Sequence, residues 1–115
     1  MNVQEKYQRL EDTVRQYNPG ANFDLIHAAF VYAEAHHRGQ NRKDGSPFIT
    51  HPLAVAQIVA QELHLDSESI AAALLHDTIE DTDATHEDIA RTFSPTIADI
   101  VEGVSKLTRV QAASK

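Results

Sequence analysis

Residues 67–81 read SESIAAALLHDTIED, an apolar run set between polar ends. Every residue from Ile70 to Leu75 is apolar, and Asp66 stands just before the stretch, where a carboxylate can cap a helix. A helix that is apolar nearly all round belongs in the middle of a protein. The pattern predicts a helix from about Ser67 to Thr78, fourth in the chain, central and buried. The apolar run stops at His76-Asp77. A carboxylate at the end of a buried helix needs a reason, because a buried charge is costly unless it is paired or holds a metal.

Outward from this helix, the spacing stays helical. Val3, Tyr7, Leu10, Val14 and Tyr17 lie on one face of a first helix, which Asn18-Pro19-Gly20 ends. Phe23 to His37 forms a second, with Asn22 or Asp24 as its cap. His51-Pro52 opens a third, with Leu53, Ala56, Val59, Ala60 and Leu63 following. Thr85-His86-Glu87-Asp88 resembles a capping box and starts a fifth. Ser94-Pro95 starts a sixth, running to about Leu107, and residues 108–115 are expected to fray. The fold class is all-α, with about six helices. Between helices two and three, Arg38 to Thr50 has no period and is rich in Gly, Asp, Ser and Pro. Loops of that length are uncommon in compact domains and often carry function.

Composition sets the outer bounds. The 115 residues carry 10 Lys+Arg and 17 Asp+Glu, a formal net charge of −7. One domain is expected at that length. With no cysteine there is no disulfide, no zinc–thiolate site and no thiol nucleophile, which is compatible with a reducing cytoplasm. The acidic balance argues against nucleic acid held by phosphate contacts. The charged N-terminus lacks a signal-peptide core, and no apolar run approaches the ~20 residues of a membrane span. The expectation is a soluble, cytoplasmic protein with no membrane or nucleic-acid partner.

Three sets of residues could carry chemistry. His76 and Asp77 can lean toward one point beside their helix, and His51 could supply a third ligand. Two imidazoles and a carboxylate suit a borderline divalent ion with open positions for water or substrate. The alternative is a core histidine bonded to a backbone carbonyl, with Asp77 solvated. Glu80 and Asp81 follow Asp77 by three and four positions, on its face if the helix continues. They could orient a water or protonate a leaving group, or simply be a solvated acidic surface. Arg42-Lys43 is a basic pair in the long loop, able to stack on a base and meet a phosphate, or only to face solvent. His27, His64 and His86 read as surface or packing residues, and Lys106 as a complement to a helix C-terminus.

Four segments stand in one order: HRGQ (37–40), RKDGSPFITHP (42–52), AALLHDTIEDT (72–82) and VEGVSKL (101–107). Together they resemble the N-terminal HD hydrolase domain of RelA/SpoT homologues, over about Phe23 to Leu107. The resemblance implies an all-helical HD fold. It implies removal of the 3′-pyrophosphate from the guanine alarmones ppGpp and pppGpp. It also implies a manganese ion held by His51, His76 and Asp77, with Glu80 and Asp81 catalytic and Arg42 and Lys43 at the guanine end of the nucleotide. Retention of His76-Asp77 and Glu80-Asp81 sets the chain apart from the RelA branch, whose equivalent domain has lost hydrolysis.

Departures from the family pattern bound these expectations. Asp44 stands where Ser is usual, Ser46 where Glu is frequent and Ser94 where Gly is frequent. Asp44 puts negative charge beside the nucleotide loop and weakens the case for Lys43. The family's later Asp-Arg-x-x-Asn segment, which completes the metal site, has no match in residues 1–115. The expectation is therefore the N-terminal part of an HD domain from a bifunctional protein, with the C-terminal helices missing. Alone it is expected to bind metal weakly and be weak or inactive, and a second copy could cover its apolar surface. A further alternative is an HD phosphohydrolase for another nucleotide, against which the Arg42-Lys43 loop and the 101–107 segment argue.

Overall fold

A computed structural model of the chain describes the backbone of residues 1–113 and the side chains of residues 1–106. Among the described residues the elements are α1 (Val3–Tyr17), α2 (Phe23–His36), α3 (Thr50–Leu63), α4 (Ser67–Leu75), α5 (Thr78–Asp81), α6 (His86–Thr92) and α7 (Pro95–Ala113). The fold is all-α as expected. The six expected helices are the longer ones, and α5 is an added single turn.

Side chains punctuate these helices. Asn2 and Glu5 form a capping box at α1, the Glu5 amide donating to Asn2 at 2.8 Å and the Asn2 amide to Glu5 at 3.0 Å. Asn22, rather than Asp24, caps α2 through the Leu25 amide at 3.1 Å. Asp66 caps α4 through Ser69 at 2.8 Å. Thr85 and Asp88 form the capping box read for α6. Pro52 falls on the third residue of α3, still within the first turn, whose amides have no intrahelical acceptor.

Helix α4 lies at the centre, packed against α2, α3 and α7, while α1 covers α3 and α6 covers α7. Ile70, Ala71, Leu74 and Leu75 are fully buried. Alanines at 29, 33, 56, 60 and 72 are buried as well, and their small side chains let the helices approach closely. Phe30, Leu10 and Ile97 fill the space between.

Two boundaries differ from the sequence pattern. Helix α4 stops at Leu75 instead of Thr78. The Thr78 hydroxyl donates to Leu75 O at 2.7 Å, and His76 Nδ1 lies 2.6 Å from Ala73 O. Side chains thus compete for the carbonyls that would carry the helix onward. Helix α7 continues past Leu107 to Ala113. Lys106 is therefore inside α7 and pairs with Glu102 at 3.1 Å, rather than complementing the helix end. The expected fraying at 108–115 concerns side chains and, at 114–115, backbone that lie outside the described residues.

His64 ends α3 in the left-handed conformation (φ 50°) and stacks on Tyr17 with ring centroids 4.7 Å apart. His86 pairs with Asp99 at 2.8 Å, and His27 sits edge-on to Tyr7. No described helix is long and apolar enough to cross a membrane.

Candidate metal centre

Three element ends meet beside the core. His51 is the second residue of α3, His76 directly follows α4, and Asp77 directly precedes α5. One ligand atom from each lies within 4.8 Å of the others. Asp77 Oδ2 is 3.1 Å from His76 Nε2 and 3.3 Å from His51 Nε2. The rings of His51 and His76 lie 5.8 Å apart.

The proton positions give this cluster its meaning. A carbonyl oxygen only accepts, so the short contact to Ala73 O places the His76 proton on Nδ1. In the neutral imidazole, Nε2 is then a bare lone pair. It faces Asp77 Oδ2, which is buried and has no hydrogen-bond partner. Two acceptors held 3.1 Å apart repel unless a cation sits among them. The Nδ1–carbonyl contact is also the arrangement by which metal-binding histidines are oriented. With no cysteine in the chain, the donors are imidazole and carboxylate, a set that suits a borderline divalent ion.

Burial pushes the His51 pKa down, against the opposing pull of Asp77, while His76 and Arg42 push in the same direction as burial. His51 thus presents a neutral nitrogen over a wider pH range than a free histidine. Asp81 is pushed up, first by burial and then by the charges of Asp77 and Glu80, with His37 and His76 opposing.

The break after α4 does not separate Asp77 from the acidic pair. The Asp81 amide donates to Asp77 O at 2.9 Å, so Glu80 and Asp81 follow one helical turn later. Both are solvent-accessible at the edge of the cluster.

Arg42 and Lys43 are exposed on the loop between α2 and α3. That loop is folded rather than irregular. Asn41 and Pro47 form an isolated antiparallel bridge, and the Arg42 amide donates to Ser46 O at 2.8 Å. Gly45 turns the chain at φ 89°. The charge of Arg42 reaches His51. Asp44 accepts from the Ser46 amide at 2.9 Å and the Ser46 hydroxyl at 2.6 Å, which pull its pKa down. The two departures from the family pattern thus bind each other, and the Asp44 oxygen is turned into the loop.

Gln40 and Phe48 have no role assignable from sequence, although HRGQ is one of the four segments. Gln40 Nε2 donates to Asp81 O at 2.8 Å across 41 residues, and its Oε1 lies 3.1 Å from His37 Nδ1. Phe48 packs against the His37 ring at 4.6 Å and the His51 ring at 5.9 Å. The three-residue spacing of His37 and Gln40 was the only local signal.

The chain is similar to known proteins over most of its length. A family profile described as HD domain matches residues 29–115. The chain is 47% identical over 106 residues to the GTP pyrophosphokinase rsh of Brucella melitensis, covering 92% of this chain and 14% of that protein. It is 43% identical over 109 residues to the bifunctional (p)ppGpp synthase/hydrolase SpoT of Escherichia coli K12, covering 95% of this chain and 15% of that protein. The same identity and coverage relate it to the guanosine-3′,5′-bis(diphosphate) 3′-pyrophosphohydrolase of Escherichia coli O157:H7. The chain thus spans about one-seventh of the length of these relatives. On these matches, the chain belongs to the HD domain family, in its RelA/SpoT branch.

Proposed function

We propose that this domain removes the 3′-pyrophosphate of guanosine 3′,5′-bis(diphosphate) and its pentaphosphate analogue, as a divalent-metal-dependent hydrolase. The observation that carries the reading is the convergence of one ligand atom each from His51, His76 and Asp77, within 4.8 Å of one another. His51 Nε2, His76 Nε2 and an Asp77 oxygen would hold the ion, with manganese as the proposed metal. Such an ion acidifies bound water and screens phosphate charge.

The chain's own residues supply the remaining parts. In the reaction, the oxygen of a water bonds to the phosphorus attached at the ribose 3′ oxygen. The P–O3′ bond breaks, pyrophosphate leaves, and GDP or GTP carries the new 3′-hydroxyl. Asp81, with its raised pKa, suits the transfer of the proton from the water toward the ribose oxygen. Glu80 stands beside it and would orient the water. Arg42 and Lys43 would meet the nucleotide, Arg42 by stacking on the guanine and Lys43 by charge. The net charge of −7 leaves attraction of a polyanion to these local cations and the metal.

The donor count favours a second reading for residues 1–115 alone. Among the described residues only three donors converge, whereas manganese-type ions take about six. A missing ligand can cost ~10–100-fold in affinity or activity. The chain would then hold metal weakly and turn over slowly, with the same substrate preference.

Incubation with Mn2+ and, separately, ppGpp, dGTP and a cyclic dinucleotide tests the proposal. Pyrophosphate and GDP should appear from ppGpp alone. Preferential turnover of dGTP would replace this reading with a different nucleotide hydrolase.

A further inference from the structure

The acidic pair of the proposed reaction sits on very little structure. Helix α5 is one turn, four residues long, between the end of α4 and the bend before α6. A single turn cannot stabilise itself, because nucleation costs more than its one or two hydrogen bonds return. Its last carbonyls also lack intrahelical partners. The orientation of Glu80 and Asp81 must therefore be imposed from outside α5.

Thr78 and Ile79 anchor one side of the turn in the core and α5 rests on α7, while a hydrogen bond from the loop between α2 and α3 holds its far end. Gln40 Nε2 donates to the carbonyl of Asp81 at 2.8 Å. That bond fixes which way the amide points, so its oxygen faces His37 Nδ1 at 3.1 Å. The oxygen can only accept, so His37 carries its proton on Nδ1. His37 itself is nearly fully buried, with 2% of its surface exposed. It ends α2, with its own amide bonded to Ala33 O at 2.9 Å, and it lies against Phe48. Its Nε2 is buried without a partner. An apolar ring at position 37 would avoid that orphaned atom. The polar ring keeps the donor on Nδ1.

We infer that His37 and Gln40 are positioning residues that hold the Glu80–Asp81 turn in register with the His51–His76–Asp77 cluster. His37 fixes the Gln40 amide, and Gln40 fixes the Asp81 backbone. Phe48 ties the same unit to His51, so the loop between α2 and α3 sets the distance between ligand and acidic pair. This inference rests on the alarmone-hydrolase reading for its effect on rate, and on the hydrogen bonds alone for its effect on α5.

The test uses the full chain as Gln40→Leu, His37→Leu and His37→Asn, the last because an asparagine amide can replace the Nδ1–H donor. With Mn2+ and ppGpp, Gln40→Leu and His37→Leu should lower kcat by about 10–100-fold, the scale of a misplaced catalytic group. KM and Mn2+ affinity should stay within about twofold, and His37→Asn should restore most of the rate. In parallel, the Asp81 and Thr82 amides should exchange with solvent about five- to tenfold faster in Gln40→Leu, as for the loss of one hydrogen bond. An unchanged kcat in Gln40→Leu would overturn the inference. So would a kcat loss matched by an equal loss of Mn2+ affinity, or equal rates for His37→Asn and His37→Leu. If the unmodified chain does not hydrolyse ppGpp, the hydrolase reading fails by itself. The exchange measurement then still decides the tether, and unchanged exchange would refute it.

Discussion

Replacing Asp77 by Asn should stabilise the metal-free chain and sharply reduce its response to metal. Asp77 has 14% of its side chain exposed, and its Oδ2 faces two imidazole nitrogens at 3.1 and 3.3 Å without a hydrogen bond. A buried polar atom left unpaired costs about 1–3 kcal/mol. An Asn amide is nearly isosteric and can turn its NH2 toward His76 Nε2, giving that lone pair a donor. The expected gain is about 1–2 kcal/mol, or roughly 4–8 °C in Tm for a domain of this size. Saturating metal reverses the order. An ion at 100 times its Kd stabilises the unmodified chain by about 2.7 kcal/mol, while the Asn variant, with one charged ligand lost, gains far less. The assay is thermal unfolding of both chains in EDTA and in a Mn2+ series. If Asp77→Asn is the less stable protein in EDTA, the cluster is an ordinary hydrogen-bonded network and the metal argument fails.

Three further outcomes follow from the same contacts. His51 has its pKa lowered, so the unfolded chain takes up a proton first as pH falls; metal-free stability should decline below the ordinary value of 6.5, and Mn2+ titrations should show binding persisting somewhat below that pH before it is lost. Asp81→Asn should lower kcat for ppGpp by about 10²–10⁴-fold with Mn2+ affinity retained, measured by pyrophosphate release and metal titration; a loss of affinity instead would move Asp81 into the ligand set. Tyr7 donates to Glu11 at 2.6 Å and stacks on Phe30, and burial pushes its pKa up, so its contribution is complete below the unfolded value of 10.0 and is lost as pH rises above it. Tyr7→Phe should cost about 1 kcal/mol at neutral pH and flatten that alkaline decline, as read from urea unfolding.

What could be read from the sequence was what local chemistry determines. The burial of α4 follows from an uninterrupted apolar run, and Asp66, Asn22 and Thr85 cap because short polar side chains reach the amides three residues on. The end of α4 at Leu75 was not legible, because it depends on which side chains capture the Leu75 and Ala73 carbonyls. His51 could be named as a partner of His76 and Asp77, but their approach is set by how α3 packs on α4. Asp44 shows the limit of reading charge alone. As a sequence feature it threatened phosphate binding, whereas in the fold Ser46 engages its oxygen. The Gln40–Asp81 bond joins a loop to the last residue of α5, 41 positions on, and no periodicity encodes such a contact.

His51, His76 and Asp77 should together bind one divalent ion. Electron paramagnetic resonance of the chain titrated with Mn2+ tests it most directly, because bound ion is distinguished from free ion and coupling to imidazole nitrogen is visible. One bound Mn2+ per chain with nitrogen coupling is expected, lost in His76→Ala and in His51→Ala. Binding that persists in both variants with its nitrogen coupling unchanged, or no binding at millimolar Mn2+ in the unmodified chain, would contradict it.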